Sequence, residues 1–346
     1  MIDLHRSVVD AIRAGDVETL EALLAEHPSP AKARPDRART LLHVVADRPG
    51  HFPRARRRSR RPSEPGYPRP MAAAEEQFVR AAPSPRLRPY VGGYVGYRTG
   101  ATARGTHQGV PSAHLTLLLC LDGTVEMLRM PDPTRTPGTF DAFVGGLHVE
   151  PAVIASGAPQ TGLQIDLTWR GARTLLGLPA AALRGDVVDL GSLLGRTAHE
   201  LLDQLASTRT WRSRFALLEA ALGRLAAAGE ERGREPLPEV GYAWDRLGET
   251  GGTLRIEELA REVGWSRRHL AGRFRDEIGL APKSAARVIR FERACTRLRA
   301  PEPPGLAELA ADCGYVDQAH LARDFRELAG LTATAWRAER PEASGT

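Results

Sequence analysis

Between Leu254 and Arg337 the chain carries one short pattern twice, and few folds accommodate such a duplication. The first copy reads LRIEELAREVGWSRRHLAGRFRDEIGLAPKSAARVIRFERA and the second GLAELAADCGYVDQAHLARDFRELAGLTATAWRAE. Each reads as a short helix, a glycine turn, a second helix with buried spacing and a closing Gly-Leu. That is the sequence form of a helix-turn-helix.

In the first copy Ile256, Leu259, Ala260 and Val263 share one face of a scaffold helix, and Gly264 permits the turn. Val240 to Leu247 reads as a short helix buttressing it. Ser266 is a natural N-cap, because its hydroxyl can accept a backbone N–H bond. Leu270, Phe274 and Ile278 then recur at i, i+4 and i+8 and face the core. This leaves Arg267, Arg268, Ala271 and Arg275 outward, with His269 and Arg273 on the flanks. Such a helix suits the major groove, where Arg meets guanine O6 and N7 or phosphate oxygens. Arg267, Arg268 and His269, near its N-terminal end, are the candidate contacts.

Pro282 suits the first turn of a connecting helix that runs on from Lys283 to Leu298. In the second copy Gly314-Tyr315 makes the turn, Asp317 is the cap, and Leu321, Phe325 and Leu328 face inward. Gln318, His320 and Arg323 are its candidate DNA contacts, Gln318 having the geometry for paired bonds to adenine. Cys313 reads as a small apolar core residue. The copies differ in charge. Leu254 to Arg299 has twelve basic and six acidic residues, Ala300 to Arg340 four and seven. Phosphate attraction is therefore expected mainly from the first copy.

These residues, above all LAREVGWSRRHLAGRFRDEIGLAPK, RVIRFERA and LAADCGYVDQAHLARDFRELAG, resemble the DNA-binding domain of the AraC/XylS family of bacterial transcriptional regulators. The resemblance covers about a quarter of the chain. It implies seven helices, two helix-turn-helix units joined by a long helix, asymmetric promoter sites, and usually activation of transcription. The DNA-facing set it implies is Arg267, Arg268 and Arg273, then Gln318, His320 and Arg323. The partners it implies are double-stranded DNA and RNA polymerase, in the bacterial cytoplasm and on the nucleoid. One departure is the end of the second copy. The family has Gly-x-x-Pro there, whereas Gly330 is followed by Leu331-Thr332-Ala333. The missing Pro loosens the start of the last helix, which Thr332 can still cap. In many members an N-terminal domain senses a small molecule or forms dimers, so a small-molecule effector and a homodimer belong to the expectation.

The middle region fits that layout. Leu115 to Leu121 is a strongly apolar run, Asp122-Gly123 a turn signal, and TVEMLRM alternates, so a hairpin is expected here. Phe140 to Val144, Val149 to Ile154 and Leu163 to Leu167 read as further strands of a small barrel or sandwich. Helices follow at Gly171 to Leu178, Ala198 to Leu205 and Arg212 to Ala228. In the last, Phe215, Leu218, Leu222 and Leu225 form a stripe that is either intrachain core or a subunit contact.

Signals for catalysis are missing. His107, His114 and His148 have no spacing that completes a metal set, and no GxGxxG, GxSxG or P-loop is present. The pairs Gly92-Gly93 and Gly145-Gly146 read as turns or bulges. Cys120, Cys295 and Cys313 form no CxxC or CxxH pair, which points to a reduced compartment without zinc or disulfides. Cys120 also lacks the Pro-Cys-His-Arg setting of a DNA-repair methyltransferase. No apolar run is long enough to span a bilayer.

The first seventy residues are less regular. Leu4 to Phe52 resembles little more than one ankyrin repeat, with Gly15-Asp16 and TLLHVVAD but Leu41 where that family has Pro. One such repeat cannot bury its apolar face. Arg54 to Pro70 carries seven Arg against one Glu and reads as disordered chain. That accounts for the whole formal net charge of +6, so the basic balance is no argument for nucleic acid. The stretch reads as a linker, as a basic arm on DNA phosphates, or as part of a mis-joined frame ahead of a natural start at Met71.

The expected organisation is thus multidomain. A partial ankyrin-like helical segment spans 1–53 and a basic linker 54–85. A mixed β then α regulatory domain spans 86–228, a hinge 229–238, and an all-α DNA-binding domain with two helix-turn-helix units 239–340. The expected function is a sequence-specific DNA-binding transcriptional regulator modulated through its N-terminal domain. The alternatives are a regulator without effector, controlled by abundance or a partner protein, and an ankyrin-type interaction module. No enzyme activity, cofactor, metal or membrane is expected.

Overall fold

The computed structural model describes residues 76–233 and 236–339. The ankyrin-like stretch and the arginine-rich run lie outside the described residues. What the structure describes is a β-rich domain with helices, followed by a helical domain with two helix-turn-helix units.

Among the described residues ten strands make two antiparallel sheets. The larger has the order β1 (Gln77–Ala81), β2 (Val91–Thr99), β9 (Gln160–Leu167), β4 (Leu115–Asp122), β7 (Ala142–Gly145), β10 (Val187–Asp189). The smaller has the order β3 (Gly105–Gly109), β8 (Ala152–Ser156), β5 (Val125–Arg129), β6 (Gly138–Phe140). Strand β4 shows why the sheets stack. Its side chains alternate between two faces. Leu115, Leu117 and Leu119 join the main core. Leu118 and Cys120 meet Met127, Ile154 and Phe140 of the smaller sheet. The arrangement is a sandwich.

The expected hairpin is not formed. The chain does turn at Gly123, where φ is +88°. Strand β4, however, already has β9 on one edge and β7 on the other, so β5 crosses to the second sheet and pairs with β6 and β8. The same crossing splits the expected strand at Phe140 to Val144. Residues 138–140 belong to one sheet and 142–145 to the other. Gly92-Gly93 lies at a register shift in β2, a bulge.

The helices cover the Leu115 face of the larger sheet. They are α1 (Trp169–Leu176), α2 (Leu190–Leu194), α3 (Arg196–Ser207) and α4 (Trp211–Glu231). Leu218 and Leu222 of α4 are buried, with Phe215 and Leu225 packed beside them, so that stripe is intrachain core. Helices α1 and α4 meet at Gly229, where a Cβ would come within 2.0 Å of the Thr174 carbonyl oxygen; only glycine fits.

The helical domain comprises α5 (Pro238–Glu249), α6 (Ile256–Glu262), α7 (Arg267–Ile278), α8 (Pro282–Leu298), α9 (Leu306–Asp312), α10 (Gln318–Ala329) and α11 (Ala333–Glu339). Its first unit is not a separate body. Leu270, Phe274 and Ile278 of α7 belong to the same continuous core as Leu175 and Leu183 of the β-rich domain. The second unit has a core of its own around Phe291, Phe325 and Trp336, with Val110 and Val149 of the β-rich domain packed against it.

Candidate nucleic-acid interface

The two units repeat one construction in detail. Gly264 and Gly314 make the turns at φ +70° and +76°. The aromatic residue after each glycine bonds back through its N–H to the scaffold helix, Trp265 to the Ala260 carbonyl and Tyr315 to the Ala310 carbonyl, both at 2.9 Å. The caps are those the sequence suggests. Ser266 Oγ accepts from the His269 N–H at 3.2 Å, and Asp317 Oδ1 from the His320 N–H at 2.7 Å. Phe274 and Phe325 are fully buried at matching positions. Gly279 and Gly330 close α7 and α10 in the left-handed region.

The candidate side chains divide by what holds them. Arg268 and Arg273 are exposed, make no salt bridge among the described residues, and line an open groove along α7 with Ser266, Gly272 and Asp276. Arg267 is also exposed, but its guanidinium lies 2.6 Å from Glu257 Oε1 on the scaffold helix. Glu257 is held below the usual carboxylate range by its own backbone N–H and by Arg267. His269, exposed on that same groove, and the half-buried His320 each contact the aromatic residue of their turn. Their rings stand edge-on to Trp265 at 4.7 Å and to Tyr315 at 5.1 Å. Gln318 and Arg323 are exposed on α10.

Residues that sequence reasoning passed over set the angle of α10. Asp324 is buried one place before Phe325, the position that in the first unit holds the exposed Arg273. Its Oδ1 accepts from Arg287 Nε on α8 at 2.7 Å, and Arg287 also reaches Glu327. An Asp on the expected outer face, where its counterpart is Arg, was the available signal. Thr332 does cap α11, its Oγ1 accepting from the Ala335 N–H at 3.1 Å.

Among the described residues the β-rich domain touches the helical domain at several places. Arg173 of α1 pairs with Glu277 of α7, Nε to Oε1 at 2.7 Å, and the pair is largely buried. Glu292 of α8 accepts from the Ala113 N–H at 3.2 Å and lies 3.7 Å from His114 Nδ1. Val110 and Val149 pack on the core of the second unit, and a Cβ added at Gly330, at the end of α10, would stand 3.8 Å from Gln108 and Pro151. A bidentate pair between Arg170 and Asp245, 3.2 Å at both contacts, adds α5.

The three histidines of the middle region do not come together. His107 is on β3, His114 faces α8, and His148 Nδ1 sits 2.6 Å from the Glu150 carbonyl, with burial lowering its pKa to about 4. Among the described residues no group of three or more His, Cys, Asp or Glu could hold a metal ion, and no helix is long and apolar enough to cross a membrane.

Residues 259–339 match a family described as a helix-turn-helix domain. Over 90 residues the chain is 34% identical to the HTH-type transcriptional regulator Rv1931c of Mycobacterium tuberculosis, an alignment that takes in 26% of this chain and 34% of that protein. The chain thus spans about a third of the length of that curated relative. Among solved structures it is similar to ToxT from Vibrio cholerae, at a TM-score of 0.44 and 10% identity over 71% of this chain and 97% of that one. It is also similar to the C-terminal domain of AraT, a response regulator from Geobacillus stearothermophilus, at a TM-score of 0.30 and 23% identity over 33% of this chain and 94% of that one.

Proposed function

We propose, on the premise that residues 259–339 form a helix-turn-helix domain and resemble the AraC/XylS type, that this chain is a sequence-specific DNA-binding transcriptional regulator. The observation that carries the reading is the pair of capped helices α7 and α10. Both present polar outer faces to solvent, and one long helix, α8, joins the two units. That arrangement offers two recognition helices to successive major-groove segments of one duplex.

Within it Arg268 and Arg273 supply the first unit's contacts to phosphate and base edges, and Gln318 and Arg323 the second's. Arg267 must exchange Glu257 for DNA to take part, so its contribution is smaller than its position suggests. His269 and His320 act mainly by bracing the turns, and present one ring edge to the groove. The β-rich domain is the regulatory part. A small-molecule effector, a second copy of the chain or RNA polymerase would act by shifting its contacts with α7, α8 and α10.

The test is genomic binding by the tagged full-length protein, followed by gel shifts on the strongest site with full-length protein and a version starting at Met71. A discrete, asymmetric site is expected. Equal binding by both forms would make the first seventy residues dispensable, and weaker binding by the shorter form would assign phosphate contacts to the arginine-rich run. Uniform, sequence-independent retention of DNA would overturn the reading.

A further inference from the structure

The two units differ by one residue at the point where their recognition helices begin. In the first, the turn aromatic Trp265 is followed directly by the cap Ser266. In the second, Val316 stands between Tyr315 and the cap Asp317. Both neighbours of Val316 are pinned. Tyr315 is buried and bonded to the Ala310 carbonyl, and the Asp317 carboxylate is committed to the His320 N–H. An extra residue between two fixed points has to loop outward, and Val316 is 88% exposed. The next most exposed large apolar side chain among the described residues, Phe78, is at 47%. Among the described residues the Val316 N–H makes a long 3.5 Å approach to His320 Nδ1.

A lone exposed apolar residue needs no explanation by itself. This one stands at the N-terminal end of α10, beside Gln318, on the edge that a recognition helix turns to the bases. There the distinctive apolar group is the thymine 5-methyl. A β-branched side chain with few rotamers is well suited to meet it. We propose that Val316 is a specificity-determining residue that reads a thymine in the major groove by packing its methyl groups on the thymine 5-methyl. The proposal rests on the DNA-binding function above and names one base it recognises.

The experiment begins with selection of duplexes from a random pool by the full-length protein. Each thymine of the selected site is then replaced singly by deoxyuridine, which keeps every hydrogen bond and removes only the methyl. Affinities are read by fluorescence anisotropy for the native chain and for Val316→Ala, an exposed change that leaves the fold intact. The native chain should lose roughly 3- to 5-fold at one thymine, the worth of one buried methyl. Val316→Ala should bind the unmodified site weaker by a similar factor and be indifferent to deoxyuridine at that position. Native affinity unchanged by every replacement, or full methyl sensitivity retained in Val316→Ala, overturns the Val316 role alone. Failure to select any discrete duplex overturns the DNA reading beneath it.

Discussion

The Arg287 guanidinium closes on the buried Asp324 carboxylate, Nε to Oδ1 at 2.7 Å, and so bolts the second recognition helix to the helix that joins the two units. Removing the cation strands a buried carboxylate whose other oxygen has no hydrogen-bond partner among the described residues, whereas removing the carboxylate leaves Arg287 with Glu327. Arg287→Met should therefore cost more than Asp324→Ala, on the order of 3 kcal/mol. Urea unfolding followed by tryptophan fluorescence checks the order, and the reverse ranking would remove this account of how α10 is held.

The Arg173–Glu277 pair joins the β-rich domain to the first recognition helix through largely buried groups. Glu277→Arg places two cations face to face and should open the segment between α4 and α5 to limited proteolysis. The exchange Arg173→Glu with Glu277→Arg should restore protection. Cleavage as fast in the double exchange as in the single one would mean that the pair does not hold the domains together.

His114, beside Glu292 of α8, gives another contact between the two domains a pH dependence. Burial opposes its charging, but the hydrogen bond and charge of Glu292, with Asp166 nearby, prevail and raise its pKa. A raised folded value means that the stabilisation is complete below the ordinary histidine pKa of about 6.5 and fades as pH rises through the folded value. The native chain should lose stability relative to His114→Gln as pH rises from about 6.5 through the raised folded value. Parallel stability curves for the two chains across that window would exclude the effect.

On DNA, the first unit should dominate affinity. Arg268→Ala should weaken binding more than Arg323→Ala, and should lower the slope of log affinity against log salt by about 1 if Arg268 meets a phosphate. Anisotropy titrations at several salt concentrations measure both. A larger loss from Arg323→Ala would reverse the assignment.

The helical domain was legible in the sequence because its signals are local. Caps at Ser266 and Asp317, turn glycines at 264 and 314, and apolar residues every three or four positions all lie within one or two turns of what they specify. The sandwich was legible as strands but not as pairings. Whether β5 pairs with β4 depends on β7 and β9 having taken both edges of β4, which lies tens of residues away in the chain. The candidate contacts show the same limit. Exposure of Arg268 and Gln318 follows from helical spacing, but the capture of Arg267 by Glu257 and of Asp324 by Arg287 depends on how neighbouring helices cross.

The β-rich domain meets the helical domain at Asp245 of α5, at Glu277 of α7, at Glu292 of α8, through the core it shares with α7, and where Val110 and Val149 pack on the core of the second unit. A body held on α5, α7, α8 and the core of the second unit has little freedom to rotate about any one of them. The pitch between the two recognition helices is then a property of the whole molecule rather than of α8 alone. Such a mount acts as a ruler. It would discriminate between promoter sites with the same bases but a different number of base pairs between their two halves.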